Sequence, residues 1–252
     1  MRVFVTGASG HIASAVIPEL LSAGHAVTGL ARSDRAAAAV RSLGVDVLRG
    51  DLDDLDGLSR AVREADGVVH LAFKHEEQHS GDFDGVIDAD LRAVESMGAA
   101  LEGSDKAFVG TNATGALILA GFQGWLTERD VRPGGPRIDT ENAVIALAER
   151  GVRSSVVRLP PTVHSRENYG FVSGLIATAR ATGDSGYLGD GSNRWPAAST
   201  AWRLSPRPRG LDFTPSPRKA SPSATSPRRS AAGSASPPRP SPPSTPRSTS
   251  DT

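Results

Sequence analysis

Six short apolar runs, each separated from the next by a stretch of helical spacing, organise the first 160 residues. The runs are "RVFVT" (2–6), "AVTGLA" (26–31), "VDVLRG" (45–50), "GVVHLAF" (67–73), "KAFVGT" (106–111) and "RSSVVRL" (153–159). Between them lie Ile12 to Ala23, Asp34 to Leu43, Leu55 to Glu64, Phe83 to Leu101 and Thr140 to Arg150. Strands that are apolar along their whole length are buried on both faces, and parallel strands need helical crossovers that supply the cover. The pattern predicts an α/β fold built on a doubly wound parallel sheet, and 252 residues leave room for one such domain. Gly24, Gly44 and Gly151 follow helical stretches where a left-handed residue is needed, and Thr140 with Glu141 reads as a capped opening of the last helix.

The first strand runs directly into a glycine-punctuated turn and a helix, "VFVTGASGHIASAV" at 3–16. Glycines there let the backbone approach a phosphate, and the helix N-terminus presents free N–H groups and a positive dipole end. Gly7 and Gly10 meet that need. The spacing Gly7-x-x-Gly10-x-x-Ala13 falls short of the full G-x-G-x-x-G fingerprint, and an ordinary strand-helix turn is its other reading.

Composition narrows the rest. With no cysteine, disulfides, thiolate metal sites and Cys nucleophiles are excluded, and an intracellular setting is favoured. Four of the six histidines are scattered, and His75 and His79 stand four apart in "HEEQH". No leader-like or membrane-spanning apolar run is present, so a soluble, cytoplasmic protein is expected. Net charge is zero, yet residues 1–204 carry 20 basic against 26 acidic side chains and residues 205–252 carry 8 against 2.

Four motifs recur in order: "TGASGHI" (6–12), "GDLDD" (50–54), "HLAF" (70–73) and "RLPPTVH" (158–164). On them the chain resembles the NAD(P)-dependent epimerase/dehydratase branch of the extended, here atypical, short-chain dehydrogenase/reductase superfamily, over about residues 1 to 197. The resemblance implies a Rossmann-type domain over 1–164. It places Gly7, Ser9, Gly10, His11 and Ile12 on the pyrophosphate, Asp51 and Leu52 by the adenine, Leu71 and Ala72 beside the adenosine ribose and Pro160 near the nicotinamide. Core and loop packing is the competing role for Leu71, Ala72 and Pro160. After the second strand, "LARSD" puts Arg32 where an acid would select NAD; arginine there favours the 2′-phosphate of NADP, and Asp34 leaves NAD as the alternative.

The family's Tyr-x-x-x-Lys is missing. Only Tyr169 and Tyr187 occur, and four residues on stand Ser173 and Gly191. Set against that motif, "PRIDTENAV" brings Arg137 to the tyrosine, Thr140 to the serine and Glu141 to the lysine. The fifth strand brings Asn112 to the assisting serine, with Thr111 and Thr114 beside it. Arginine does not release a proton in proteins, so Arg137 is expected to orient a carbonyl by charge, unless Arg137 and Glu141 are simply a surface pair at i, i+4. Thr111, Thr114, Tyr169 or water remain as proton donors. The implied activity is an NAD(P)-dependent oxidoreductase or epimerase acting on a small carbonyl, alcohol or sugar-nucleotide-like substrate. A non-catalytic NAD(P)-binding redox sensor is the alternative, and a homodimer is an assembly the family offers.

Residues 165–197 resemble part of a substrate lobe, with Tyr169, Phe171, Tyr187 and Trp195 either lining a pocket or packing together. From Ser205 on, 12 prolines and 12 serines leave almost no large apolar side chain, which reads as a disordered tail over 198–252. Its lack of interleaved aromatics argues against nucleic-acid binding. Family sequences continue past "NRWPA" with Val-His-Arg. If the Ala198 codon ends in G, the codons TCC, ACC and GCC for Ser199, Thr200 and Ala201 contain Val-His-Arg in the next frame, so a frameshift is expected there.

Overall fold

A computed structural model describes residues 1–79, 81–165, 170–187, 189–192 and 194–199. In chain order the elements are β1 (Arg2–Thr6), α1 (Ala13–Ser22), β2 (Ala26–Ala31), α2 (Asp34–Ser42), β3 (Asp46–Arg49), α3 (Leu55–Glu64), β4 (Gly67–His70), α4 (His75–His79) and α5 (Phe83–Leu101). Then come β5 (Ala107–Ala113), α6 (Thr114–Leu119), α7 (Ile138–Ala146, prolonged by a 3-10 turn, Leu147–Arg150), β6 (Arg153–Leu159), β7 (Thr162–His164), α8 (Phe171–Thr182) and β8 (Ala197–Ser199). The first six strands form one sheet in the order β3-β2-β1-β4-β5-β6, with every pair parallel. Strand order reverses between β1 and β4, and such a reversal opens a crevice at the carboxyl ends of the strands. This is the expected Rossmann-type, doubly wound sheet.

Two apolar layers cover the sheet because successive strand residues point to opposite faces. Val3 and Val5 pack with Ile17, Val27 and Val40 beneath α1 and α2. Phe4, Val68 and Phe108 pack with Leu58, Val62, Val94, Met97 and Leu101 beneath α3 and α5. Burying each large side chain contributes roughly 2 to 3 kcal/mol. α7 and its 3-10 turn sit especially close: a Cβ on Gly98 would lie 2.4 Å from Leu147 Cδ2, and one on Gly110 would lie 2.9 Å from Val144 Cγ2. That contact brings α7 to the carboxyl end of β5.

Local signals set most boundaries. Ser33 Oγ accepts from the Ala36 N–H at 3.1 Å, and Asp54 accepts from the Gly57 N–H at 2.9 Å. Gly24, Gly44 and Gly151 take φ of 79°, 77° and 73°, the left-handed positions their helix ends require. Thr140 and Glu141 do not cap α7, which begins at Ile138. Both are buried inside the helix, and Thr140 Oγ1 has no hydrogen-bond partner. The flanking position belongs to Arg137, at φ 63°. The tail from residue 200 and Tyr169 lie outside the described residues.

Candidate functional site

The turn after β1 is shaped by its neighbour across the strand-order reversal. Gly7 has φ 65°, and a Cβ there would lie 2.7 Å from Ala72 N and 2.8 Å from the Leu71 carbonyl carbon. No other residue fits that position without strain. Gly10 donates its N–H to the Gly7 carbonyl at 2.9 Å, which curls the chain into α1. Among the described residues the N–H groups of Ser9 and Ile12 make no hydrogen bond, so open donors stand at the start of a helix. This donor set suits a diphosphate. His11 Nε2 donates to the Val163 carbonyl at 2.9 Å and so ties the turn to β7.

Beside the turn begins a chain of buried polar groups. Thr6 Oγ1 accepts from the N–H groups of Leu71 and Ala72, each at 3.2 Å, so its own proton goes to His70 Nδ1 at 2.7 Å. That assignment leaves His70 Nε2 protonated and donating to Asp90 Oδ1 at 3.1 Å. The other Asp90 oxygen lies 3.4 Å from Arg137 Nη1. Arg137 Nε donates to Asn112 Oδ1 at 3.3 Å and Nη2 to the Thr111 carbonyl at 3.1 Å, while Cζ stands 4.0 Å over the Phe73 ring. Asn112 Nδ2 donates to Glu141 Oε2 at 2.5 Å, and Glu141 Oε1 receives Arg158 Nε at 3.0 Å. Arg158 also donates to the carbonyls of Thr127, at 3.0 Å, and of Asp130, which fastens the loop ahead of α7.

The sequence expectation of a surface Arg137–Glu141 pair is therefore corrected. Both side chains are sequestered, Arg137 pairs with Asp90, Glu141 pairs with Arg158, and Asn112 joins the two halves. Burial pulls the Arg137 guanidinium below its usual range, and Asp90 and Glu141 push it back up. Its left-handed backbone is strain held in place by these contacts. Thr111 Oγ1 donates to the His70 carbonyl at 2.9 Å, so this hydroxyl clasps β5 to β4. Asp90, His70 and Arg158 were not singled out from sequence. "HLAF" and "RLPP" contain two of them, but only the fold shows that their polar ends converge.

At the other end of the cleft Arg32 donates Nη1 to Glu77 at 2.7 Å and Nη2 to Glu76. Lys74 lies 3.6 Å from Asp51 and also binds Asp53. Asp34 is turned away, 3.1 Å from Arg49. Leu52 is buried in the core beneath α3, Leu71 and Ala72 pack against the two apolar layers, and Pro160 follows β6, half-buried. Phe171 stacks on Trp195 with centroids 5.0 Å apart, and Tyr187 is exposed. No cluster of metal-ligating side chains and no helix long and apolar enough to cross a membrane occurs among the described residues.

Known proteins agree with this geometry. A family model described as NAD(P)H-binding matches residues 7–85. An uncharacterized protein of Schizosaccharomyces pombe is 40% identical over 197 residues, which are 78% of this chain and 66% of that protein. An uncharacterized protein of Saccharomyces cerevisiae is 42% identical over 202 residues, again 78% and 66%. The chain thus spans just under two thirds of the length of these curated relatives. The fold is similar to MoeE5 in complex with UDP-glucuronic acid and NAD, with a TM-score of 0.62 at 22% identity, covering 79% of this chain and 68% of that one. With the glycine turn at its reversal, the 3-2-1-4-5-6 sheet is a Rossmann-type fold like that of MoeE5, and its first part, residues 7–85, matches the NAD(P)H-binding family.

Proposed function

We propose that the chain is an NAD(P)-dependent oxidoreductase or epimerase-like enzyme acting on a small carbonyl, alcohol or sugar-nucleotide-like substrate. The observation that carries this reading is the continuity of the cleft: the open N–H groups of the Gly7–Gly10 turn stand beside Thr6, and Thr6 begins the polar chain that ends on Arg137 and Glu141. Ser9, Gly10 and Ile12 would hold the pyrophosphate, and Arg32 would meet a 2′-phosphate, which favours NADP. When bound, the nicotinamide supplies or takes a hydride. Arg137 keeps two of its five N–H groups uncommitted and uses them to hold and polarise the substrate oxygen. Asp90 and Asn112 fix its orientation, and Phe73 shields its face. Thr114 Oγ1 makes no hydrogen bond among the described residues, so it passes the proton between that oxygen and water. On this reading 1–164 is the cofactor domain, 165–197 is part of the substrate lobe, and the sequence from 198 is a frameshift product, which resequencing the gene checks.

One feature favours the alternative of a non-catalytic sensor. Thr111, Asn112, Arg137 and Glu141 are all engaged with one another or with backbone, and none offers a neutral-pH acid to the cleft. The test is a fluorescence titration with NADPH and NADH, followed by a panel of small aldehydes, ketones and sugar nucleotides. Binding lost in Gly10→Asp, with turnover lost in Arg137→Ala, is the expected result. Binding with no turnover across the panel selects the sensor, and no binding to either cofactor overturns both.

A further inference from the structure

Cofactor choice in this chain is expected to rest on Arg32, yet both ends of its guanidinium are already spent. Nη1 meets Glu77 at 2.7 Å and Nη2 meets Glu76, two neighbouring side chains of α4. The other polar groups at the end of β2 are committed elsewhere: Ser33 Oγ caps α2, and the Asp34 carboxylate sits by Arg49. The carboxylates beside Arg32 therefore come from the segment after β4 and not from β2 itself. Lys74, one turn ahead, is similarly held by Asp51 and Asp53. Two ion-pair groups thus strap residues 74–77 across the carboxyl ends of β2 and β3, and the residue just before the strap, Phe73, lies under Arg137.

A carboxylate pair and a phosphate make the same kind of contact with a guanidinium, two parallel N–H to oxygen bonds. They cannot both be made by the same two donors. We infer that Glu76 and Glu77 are specificity-determining residues that compete with the 2′-phosphate of NADP for Arg32, so that the preference for NADP is blunted by the protein's own acids. This rests on the proposed cofactor reading of the cleft. Arg32 and Glu76 are both substantially exposed, with 41% and 72% of their side chains accessible, so the contacts are exchangeable. A phosphate carrying about −1.5 to −2 charge takes Arg32 from the carboxylates, and α4 is released from β2. NADH, with a 2′-hydroxyl, leaves the strap closed.

The experiment is direct binding of NADPH, NADH, adenosine 2′,5′-bisphosphate and AMP to the full chain, for wild type, Glu76→Gln/Glu77→Gln and Arg32→Ala, with circular dichroism as the folding control. The double variant should tighten the two 2′-phosphorylated ligands about three- to tenfold, the range expected when two exposed ion pairs no longer compete, and leave NADH and AMP within about twofold. Arg32→Ala should erase discrimination between each pair of ligands. Discrimination unchanged in the double variant but lost in Arg32→Ala overturns the competition while leaving the cofactor site intact. Failure of wild type to bind any of the four overturns the cofactor site, and the competition with it.

Discussion

Two sets of cation–carboxylate contacts lie at opposite ends of one cleft, and they differ in burial. At the chemical end, Asp90, Arg137, Glu141 and Arg158 are sequestered, with Asp90 and Glu141 side chains 3% and 2% exposed. At the end by β2 and β3, Arg32, Lys74, Asp51, Asp53, Glu76 and Glu77 form similar pairs near the surface. The buried set cannot fall back on water, so each member depends on every other. The surface set can exchange protein partners for water, salt or a ligand at little cost. One fold therefore uses the same contact for rigid positioning at one end and for exchange at the other.

The largest test of that contrast removes one buried carboxylate. Glu141→Ala strands Arg158 and an Asn112 amide and is expected to cost about 3 to 5 kcal/mol, read as a lower urea midpoint; Glu77→Ala is expected to cost under about 1 kcal/mol. Equal losses would break the comparison. Next in size is Gly7→Ala, which meets both the left-handed backbone and the 2.7 Å approach to Ala72, for about 2 kcal/mol or more of stability. Gly10→Ala meets only the Gly7 carbonyl at 3.0 Å and should cost less stability while still weakening cofactor binding. A third variant, Arg137→Lys, keeps the charge but loses the planar fork that reaches Thr111 and Asn112; turnover should fall roughly tenfold or more with cofactor affinity nearly unchanged. Equal loss of both would place Arg137 in the cofactor site instead.

The sheet was legible because its signal is periodic and local. All six strands of the main sheet and five of the six long helices follow apolar spacing, and Gly24, Gly44 and Gly151 end helices where expected, whereas α8 buries no side chain and was not anticipated. The short elements were not. "HEEQH" in α4 has no apolar repeat at all, and its two glutamates matter through Arg32, more than forty residues away. The site was half legible for the same reason. Asn112, Arg137 and Glu141 could be placed together by motif, but their partners could not: Asp90 sits in a long helix whose pattern explains it as one more polar residue, and burial alone reveals it as the hinge between His70 and Arg137. The start of α7 was misplaced because capping chemistry at Thr140 looked sufficient, whereas the tertiary contacts of Arg137 hold the chain left-handed three residues earlier.

The smallest effect sharpens the comparison from the exposed side. A hydrogen bond to its own backbone, and then Arg32, hold the Glu77 carboxyl below its ordinary range. A carboxyl depressed in the folded state adds stability that is present above its unfolded value and is lost as pH falls toward the folded one. Wild type should therefore exceed Glu77→Gln by under about 1 kcal/mol near about pH 7 at low salt, and the gap should close by about pH 3. Raising salt to about 0.5 M at neutral pH should also shrink it, because exposed charges are screened within a few ångströms. Urea unfolding of both proteins across that range reads the gap directly. The same salt step should leave the cost of Glu141→Ala nearly unchanged, since buried partners are out of reach of the ions. A salt-insensitive Glu77 would mean that the strap over β2 and β3 is as fixed as the polar chain under Arg137, and that Arg32 is not free to change partners.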